Sequence, residues 1–143
     1  MTRSLVREHL FKLLFRIEFN APQDMQEQIR LYFTDGFADE DHESTGEDVP
    51  EKDRDYIIGK YESIIGHLSE IDGLIDNCAK GWSISRIGKV ELAILRLAVY
   101  EMLYDDDIPV GVAIDEAVEL SKRFGQESSG AFVNGILATL ARK

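Results

Sequence analysis

The sequence feature that most constrains the fold is the stretch KVELAILRLAVYEMLY at residues 89–104. Ten of its sixteen residues are apolar, and at about 100° per residue they cover most of the circumference of a helix. Such a helix must be buried among other elements. It is too short and too charged to cross a membrane, which requires about 20 mostly apolar residues. The sequence therefore predicts a central helix around which the other segments pack.

Six further segments repeat apolar residues at helical spacing, and none alternates as a strand does. The first five are residues 5–19, 24–33, 51–66, 67–80 and 109–124. Asp105, Asp106 and Asp107 are predicted to cap the fifth of these segments, with Gly125 just beyond its end as the C′ residue. Ser128 or Ser129 is predicted to cap a final helix. We expect an all-α fold of about seven helices in one domain, 1–143, with subdomains at about 1–80 and 81–143.

The net charge of −11 is concentrated in one part of the chain. Residues 34–55 carry ten acidic residues against Lys52 and Arg54, and residues 34–50 are predicted to form an acidic loop. Such a charge argues against non-specific nucleic-acid binding, which requires clustered cations, but it allows a local basic end. The N-terminus has no apolar run, so we expect a cytoplasmic protein without a membrane anchor.

The residues that usually carry catalysis do not form a recognisable pattern. The sequence contains no Gly-rich phosphate loop, nucleophile elbow or paired-histidine motif. His9, His42 and His67 are far apart, and His42 belongs to the acidic loop. The single cysteine, Cys78, is expected in the core and excludes an internal disulfide or a thiolate zinc site within one chain. The sequence predicts a binding protein, not an enzyme, with no metal and no cofactor.

Two surface features of the first helix each permit two interpretations. Phe11, Phe15 and Phe19 recur every four residues, and this row either widens the core contact or forms a partner surface, where aromatic residues are enriched. Arg3 and Arg7 are one turn apart at the helix start, where cations oppose the helix dipole. They form either a solvated pair or part of a binding site.

Three segments carry a family resemblance. KVELAILRLAVYEML, IPVGVAIDEAVELSKRFG and SSGAFVNGIL resemble the NusB family of transcription antitermination factors, and Arg7-Glu8 followed by Leu13-Leu14-Phe15 is similar to its first helix. The resemblance implies two three-helix bundles set roughly perpendicular. It also implies binding of boxA-type single-stranded RNA in nascent ribosomal RNA transcripts, together with NusE, a small-subunit ribosomal protein, in an antitermination complex on RNA polymerase.

The resemblance also implies site residues by position. The RNA-binding residues would be Arg3, Arg7, Ser128, Ser129 and Phe132, with Lys122 and Arg123 extending the basic rim. Arginine can hold a phosphate, an aromatic ring can stack on an unpaired base, and a helix N-terminus favours an anion. The partner-binding residues would be Phe15, Glu91 and Arg96.

The sequence departs from the family pattern at three positions. Ser4, Leu5 and Ala131 stand where the family often has a basic residue, so we expect RNA binding that depends on the partner. An alternative is an acidic protein-interaction module that binds a basic partner with little RNA contact. A third interpretation is an appended domain of an RNA methyltransferase. The sequence leaves open whether the protein is a monomer or a homodimer.

Overall fold

The computed structural model describes residues 1–34, 46–81 and 83–143. Most of the acidic loop predicted at residues 34–50, including His42, lies outside the described residues, as does Trp82. The described residues form seven α-helices and no strand, which confirms the all-α prediction. None of these helices is long and apolar enough to span a bilayer. The helices are α1 Arg3–Arg16, α2 Met25–Thr34, α3 Glu51–Gly66, α4 Leu68–Cys78, α5 Lys89–Tyr104, α6 Val110–Phe124 and α7 Ser129–Ala141.

The chain divides into two compact units, Met1–Ser63 and Ile64–Lys143. The division falls inside α3, whose last three residues belong to the second unit. The sequence placed the boundary near residue 80 instead. The difference arises because α4 packs against α5 and α7 and so belongs with the second unit.

The first unit contains α1, α2 and most of α3. Helix α1 begins at Arg3, two residues earlier than predicted, because the Thr2 hydroxyl accepts a hydrogen bond from the Leu5 amide at 3.1 Å. A side-chain cap of this kind satisfies one of the free amides in the first turn. The last predicted turn of this helix is a separate 3₁₀ turn, Ile17–Phe19. The side chains fully buried in this unit include Leu10, Leu13, Leu14 and Ile57.

The second unit is organised around α5, as the sequence predicted. All eight residues from Leu92 to Val99 are buried, and α5 packs against α4, α6 and α7. Helix α6 directs Ala113, Ala117 and Leu120 inward, and α7 directs Val133, Ile136, Leu137 and Leu140 inward. Cys78 is buried at the end of α4, as expected for a small core residue.

The predicted helix ends are less accurate than the helices themselves. Asp105 does not cap α6. Its carboxylate instead accepts a hydrogen bond from the Asp107 backbone amide at 3.2 Å, which closes a turn before Pro109. Gly125 is the C-cap of α6 with φ −96°, so it is not the left-handed C′ residue expected from its type. Ser128 occupies the N-cap of α7 but its side chain makes no capping hydrogen bond.

Candidate functional site

The two N-terminal arginines differ in exposure. Arg3 is the first residue of α1 and is exposed, whereas Arg7, one turn later, is only 4% exposed. Arg7 also makes polar interactions within the protein. The structure therefore presents one of these two cations at the surface, and not the exposed pair that their spacing suggested.

A second group of candidate residues lies around the connection between α6 and α7. Lys122 and Arg123 are exposed in the last turn of α6, and Ser128 is exposed just before α7. Lys122 lies 3.3 Å from the Glu119 carboxylate, an exposed pair that contributes little to stability. Phe132 is half-buried in the first turn of α7. The chain thus brings two cations, a hydroxyl and an aromatic ring to one end of the second unit.

Ser129 has a different environment from Ser128. It is 3% exposed, and its hydroxyl accepts a hydrogen bond from the Gln126 amide at 2.8 Å. The same hydroxyl donates to the Glu91 carboxylate at 2.5 Å. Ser129 therefore does not cap α7, and it joins the α6–α7 connection to the start of α5.

Glu91 is held on two sides. One carboxylate oxygen of Glu91 accepts a hydrogen bond from the Ser129 hydroxyl. The other oxygen packs closely on Gly88, where an added Cβ would lie only 2.2 Å from that oxygen. Its place in the first turn of α5 suits the positive end of the helix dipole. The family resemblance assigns Glu91 to the NusE surface and Ser129 to RNA binding. A hydrogen bond thus joins these two candidate residues directly. The two are 38 positions apart, and nothing in the sequence indicated that they meet.

Arg96, assigned to the partner surface, is paired inside the second unit. It is 7% exposed, and its guanidinium donates two hydrogen bonds, both at 2.9 Å, to the two carboxylate oxygens of Asp72. The fork geometry makes this pair stronger than a single-contact ion pair. No short-range sequence pattern links Asp72 to α5, since Asp72 and Arg96 are 24 residues apart.

Further along the same face of α5, the rings of Tyr100 and Tyr104 lie beside the ring of His67, the residue that precedes α4. The His67 ring centroid lies 4.1 Å from that of Tyr104 and 6.0 Å from that of Tyr100. The Tyr104 hydroxyl donates to the Glu70 carboxylate at 2.6 Å, and this hydrogen bond raises the pKa of Tyr104. Arg96 and the three rings give α4 and α5 a shared polar and aromatic face.

The phenylalanine row of α1 runs from the core to the surface. Phe11 is buried, Phe15 is half-buried and Phe19 is 58% exposed. The ring centroids of Phe15 and Phe19 are 5.0 Å apart in an edge-to-face arrangement. Phe11 therefore belongs to the core, whereas Phe15 and Phe19 present apolar surface, and their role as a partner surface stays a prediction.

Comparison with known proteins finds relatives that match nearly the whole chain. The NusB family model matches residues 4–142. A transcription antitermination protein NusB from Agathobacter rectalis is 49% identical over 141 residues, covering 99% of this chain and 100% of the relative. The T. maritima NusB structure is 36% identical with a TM-score of 0.80, covering 100% of this chain and 92% of that one. A NusB–NusE complex with double-stranded RNA is 24% identical with a TM-score of 0.75, covering 99% and 98%, and shows the fold alone.

Proposed function

Because the chain belongs to the NusB family, we propose that it is a transcription antitermination factor that binds boxA-type RNA in nascent ribosomal RNA transcripts. It acts together with the ribosomal protein NusE and joins the antitermination complex on RNA polymerase. Its role is recognition and not catalysis, and its place is the cytoplasm, where the transcripts are made. The match over nearly the whole chain is the observation that carries this proposal.

The direct RNA contacts are assigned to the exposed candidates and to the half-buried Phe132. Arg3, Lys122 and Arg123 hold phosphates, the Ser128 hydroxyl forms a hydrogen bond, and the Phe132 ring stacks on a base. The buried candidates have a supporting role. Arg7 fixes the position of α1, and Ser129 fixes the start of α7 through its hydrogen bond to Glu91.

The NusE surface is assigned in the same way. The partly exposed rings of Phe15 and Phe19 supply apolar contact area, which is the usual core of a protein interface. Glu91 supplies a carboxylate held by Ser129. Arg96 is held by Asp72 and acts as a positioning residue for the surrounding face of α5.

A second candidate function is an acidic protein-interaction module that makes little RNA contact. The burial of Arg7 favours it, since it removes one of few cations from the surface of a chain that carries 27 acidic residues against 16 Lys and Arg. Few phosphate contacts mean weak RNA binding. This function predicts that the partner binds while RNA is ignored.

One binding experiment separates the two functions. The affinities for a short boxA-type RNA and a scrambled RNA would be measured with and without NusE, across a salt series. The antitermination function predicts a preference for the boxA-type sequence and tighter binding with NusE present. If NusE binds but neither RNA does, with or without it, the protein-interaction function is the correct one.

A further inference from the structure

An open groove of about 820 Å³ lies between α6 and α7. One wall consists of Asp115, Val118, Glu119 and Lys122, which recur at i, i+3, i+4 and i+7 on a single face of α6. The α6–α7 connection, residues 125–127, closes one end. The volume lies within the range of sites that hold ligands, and it belongs neither to the Phe15 row nor to the face shared by α4 and α5.

The other wall of the groove, on α7, consists of small residues. Gly130 and Ala131 line it, together with the amide of Asn134. A Cβ at Gly130 would meet nothing closer than the Val118 side chain, at 3.7 Å, and Ala131 is exposed. With no large side chain on this wall, the backbone of a bound segment can lie close to α7, and the Asn134 amide can both donate to it and accept from it.

The charge of the groove selects among possible occupants. Asp115, Glu119 and Glu127 line it with three carboxylates against the single ammonium of Lys122, which is already paired with Glu119. The phosphates of an RNA strand would be repelled by this lining. Lysine and arginine side chains would be attracted, since each carboxylate can accept a charge-assisted hydrogen bond.

The geometry points to a docking groove for a basic, extended peptide segment of a protein partner. The segment lies along α7 and directs its cationic side chains toward Asp115 and Glu119 on α6. This interaction is additional to the proposed NusE surface, it shares Lys122 with the proposed RNA contacts, and it requires neither RNA nor NusE. Its closed end lies beside Lys122, so a peptide in the groove would occupy space next to the proposed RNA contacts.

The first test uses a fluorescein-labelled eight-residue peptide of alternating lysine and glycine, with anisotropy measured at about 50 mM salt, where exposed charges are weakly screened. Saturable binding is expected. The double variant Asp115→Asn/Glu119→Gln should weaken it about fivefold or more, because two carboxylates are lost. The control is Asp106→Asn/Asp107→Asn, which removes the same charge from exposed positions outside the groove and should change the affinity less than about twofold.

The second test changes the shape of the groove without changing its charge. Ala131→Leu fills the groove from α7, and Ala141→Leu makes the same change at an exposed position near the end of the same helix. Only Ala131→Leu should weaken peptide binding, with the melting temperature of both variants close to that of the parent protein.

Three results would overturn the groove proposal. Equal weakening by the two charge variants would mean that the peptide senses only general acidity. Undiminished binding to Ala131→Leu would place the peptide elsewhere. If the Asp115→Asn/Glu119→Gln variant binds boxA-type RNA more tightly and the peptide as before, the groove faces RNA. The first two of these results use the peptide alone and do not depend on whether the parent protein recognises boxA-type RNA.

Discussion

Among single residues, His9 and Tyr32 form a buried pair that should respond to acid. His9 is fully buried, and its Nδ1 lies 2.5 Å from the Tyr32 hydroxyl. Burial lowers the pKa of His9 below its ordinary value of 6.5, and the positive charge of Lys12 lowers it further. Burial raises the pKa of Tyr32, so its hydroxyl remains protonated and shares a hydrogen bond with the neutral imidazole of His9.

The lowered pKa of His9 predicts a loss of stability in mild acid. In the unfolded chain His9 binds a proton near pH 6.5, whereas in the folded protein it binds one only at lower pH. The contribution of neutral His9 to the free energy of unfolding is therefore complete above about pH 6.5. It falls as the pH drops toward the pKa of His9 in the folded protein. We expect the free energy of unfolding in urea to decline between about pH 7 and pH 5, and to decline less in His9→Gln. Tyr32→Phe retains the buried imidazole and should keep the steeper decline. Parallel declines in the parent protein and His9→Gln would contradict this assignment.

Phe132 offers a second prediction about a single residue, because it is only half-buried at the start of α7. If the ring stacks on a base, Phe132→Ala should weaken binding of boxA-type RNA by roughly 1–3 kcal/mol while the melting temperature changes little. Tyr56→Ala is the matched control, since Tyr56 is an exposed aromatic residue of the first unit to which no site is assigned. A sharp fall in melting temperature with unchanged affinity would make Phe132 a core residue instead.

Among the structural elements, the α6–α7 connection is closely packed around Gly125. A Cβ at Gly125 would lie 2.6 Å from the Ser129 hydroxyl oxygen and 2.8 Å from the Ser121 carbonyl oxygen. The Gly125 backbone, at φ −96°, is open to any residue. Close packing, and not backbone conformation, therefore requires glycine here. The Ser129 hydroxyl also donates a hydrogen bond to Glu91, so a displacement of Ser129 would disturb the start of α5.

Two glycine substitutions on neighbouring elements should have opposite effects. Gly125→Ala should lower the free energy of unfolding by roughly 1–3 kcal/mol, because the added methyl group collides with Ser129 and with backbone. Gly135→Ala lies within α7, where a Cβ meets nothing within 4 Å, and should raise it by about 0.5–1 kcal/mol. Urea denaturation measures both. A neutral Gly125→Ala would mean that the connection relaxes freely.

How far the sequence predicts these elements depends on whether the signal is local. The bounds of α3 and α5 are as predicted, since apolar periodicity within each segment determines them. The role of Ser129 depends on Glu91, 38 residues away. The burial of Arg7 and of Arg96 likewise results from tertiary packing, which side-chain spacing along one helix does not reveal. The family resemblance therefore proposed which residues form the site, and that assignment stays a prediction, whereas their exposure and hydrogen-bond partners depend on tertiary packing that the sequence did not reveal.

For the whole molecule, the balance of charge determines how RNA binding must work. The chain carries a net charge of −11, and the cations proposed to contact RNA are Arg3, Lys122 and Arg123, all exposed. Each phosphate contact on a single strand contributes a slope of about −0.7 to the dependence of log affinity on log salt. Three contacts give a slope of about −2, which describes weak binding that responds modestly to salt.

The salt dependence of RNA affinity should differ between the protein alone and the protein with NusE. Alone, the slope for boxA-type RNA should be about −2, and Arg3→Gln should bring it to about −1.4 because two contacts remain. Lys52→Gln, a control at an exposed cation outside the proposed site, should leave the slope unchanged. If NusE contributes its own phosphate contacts, the complex should give both a steeper slope and tighter binding. A slope of about −2.8 for the protein alone, the value for four contacts, would mean that Arg7, which is buried in the structure, reaches the RNA after a rearrangement of α1.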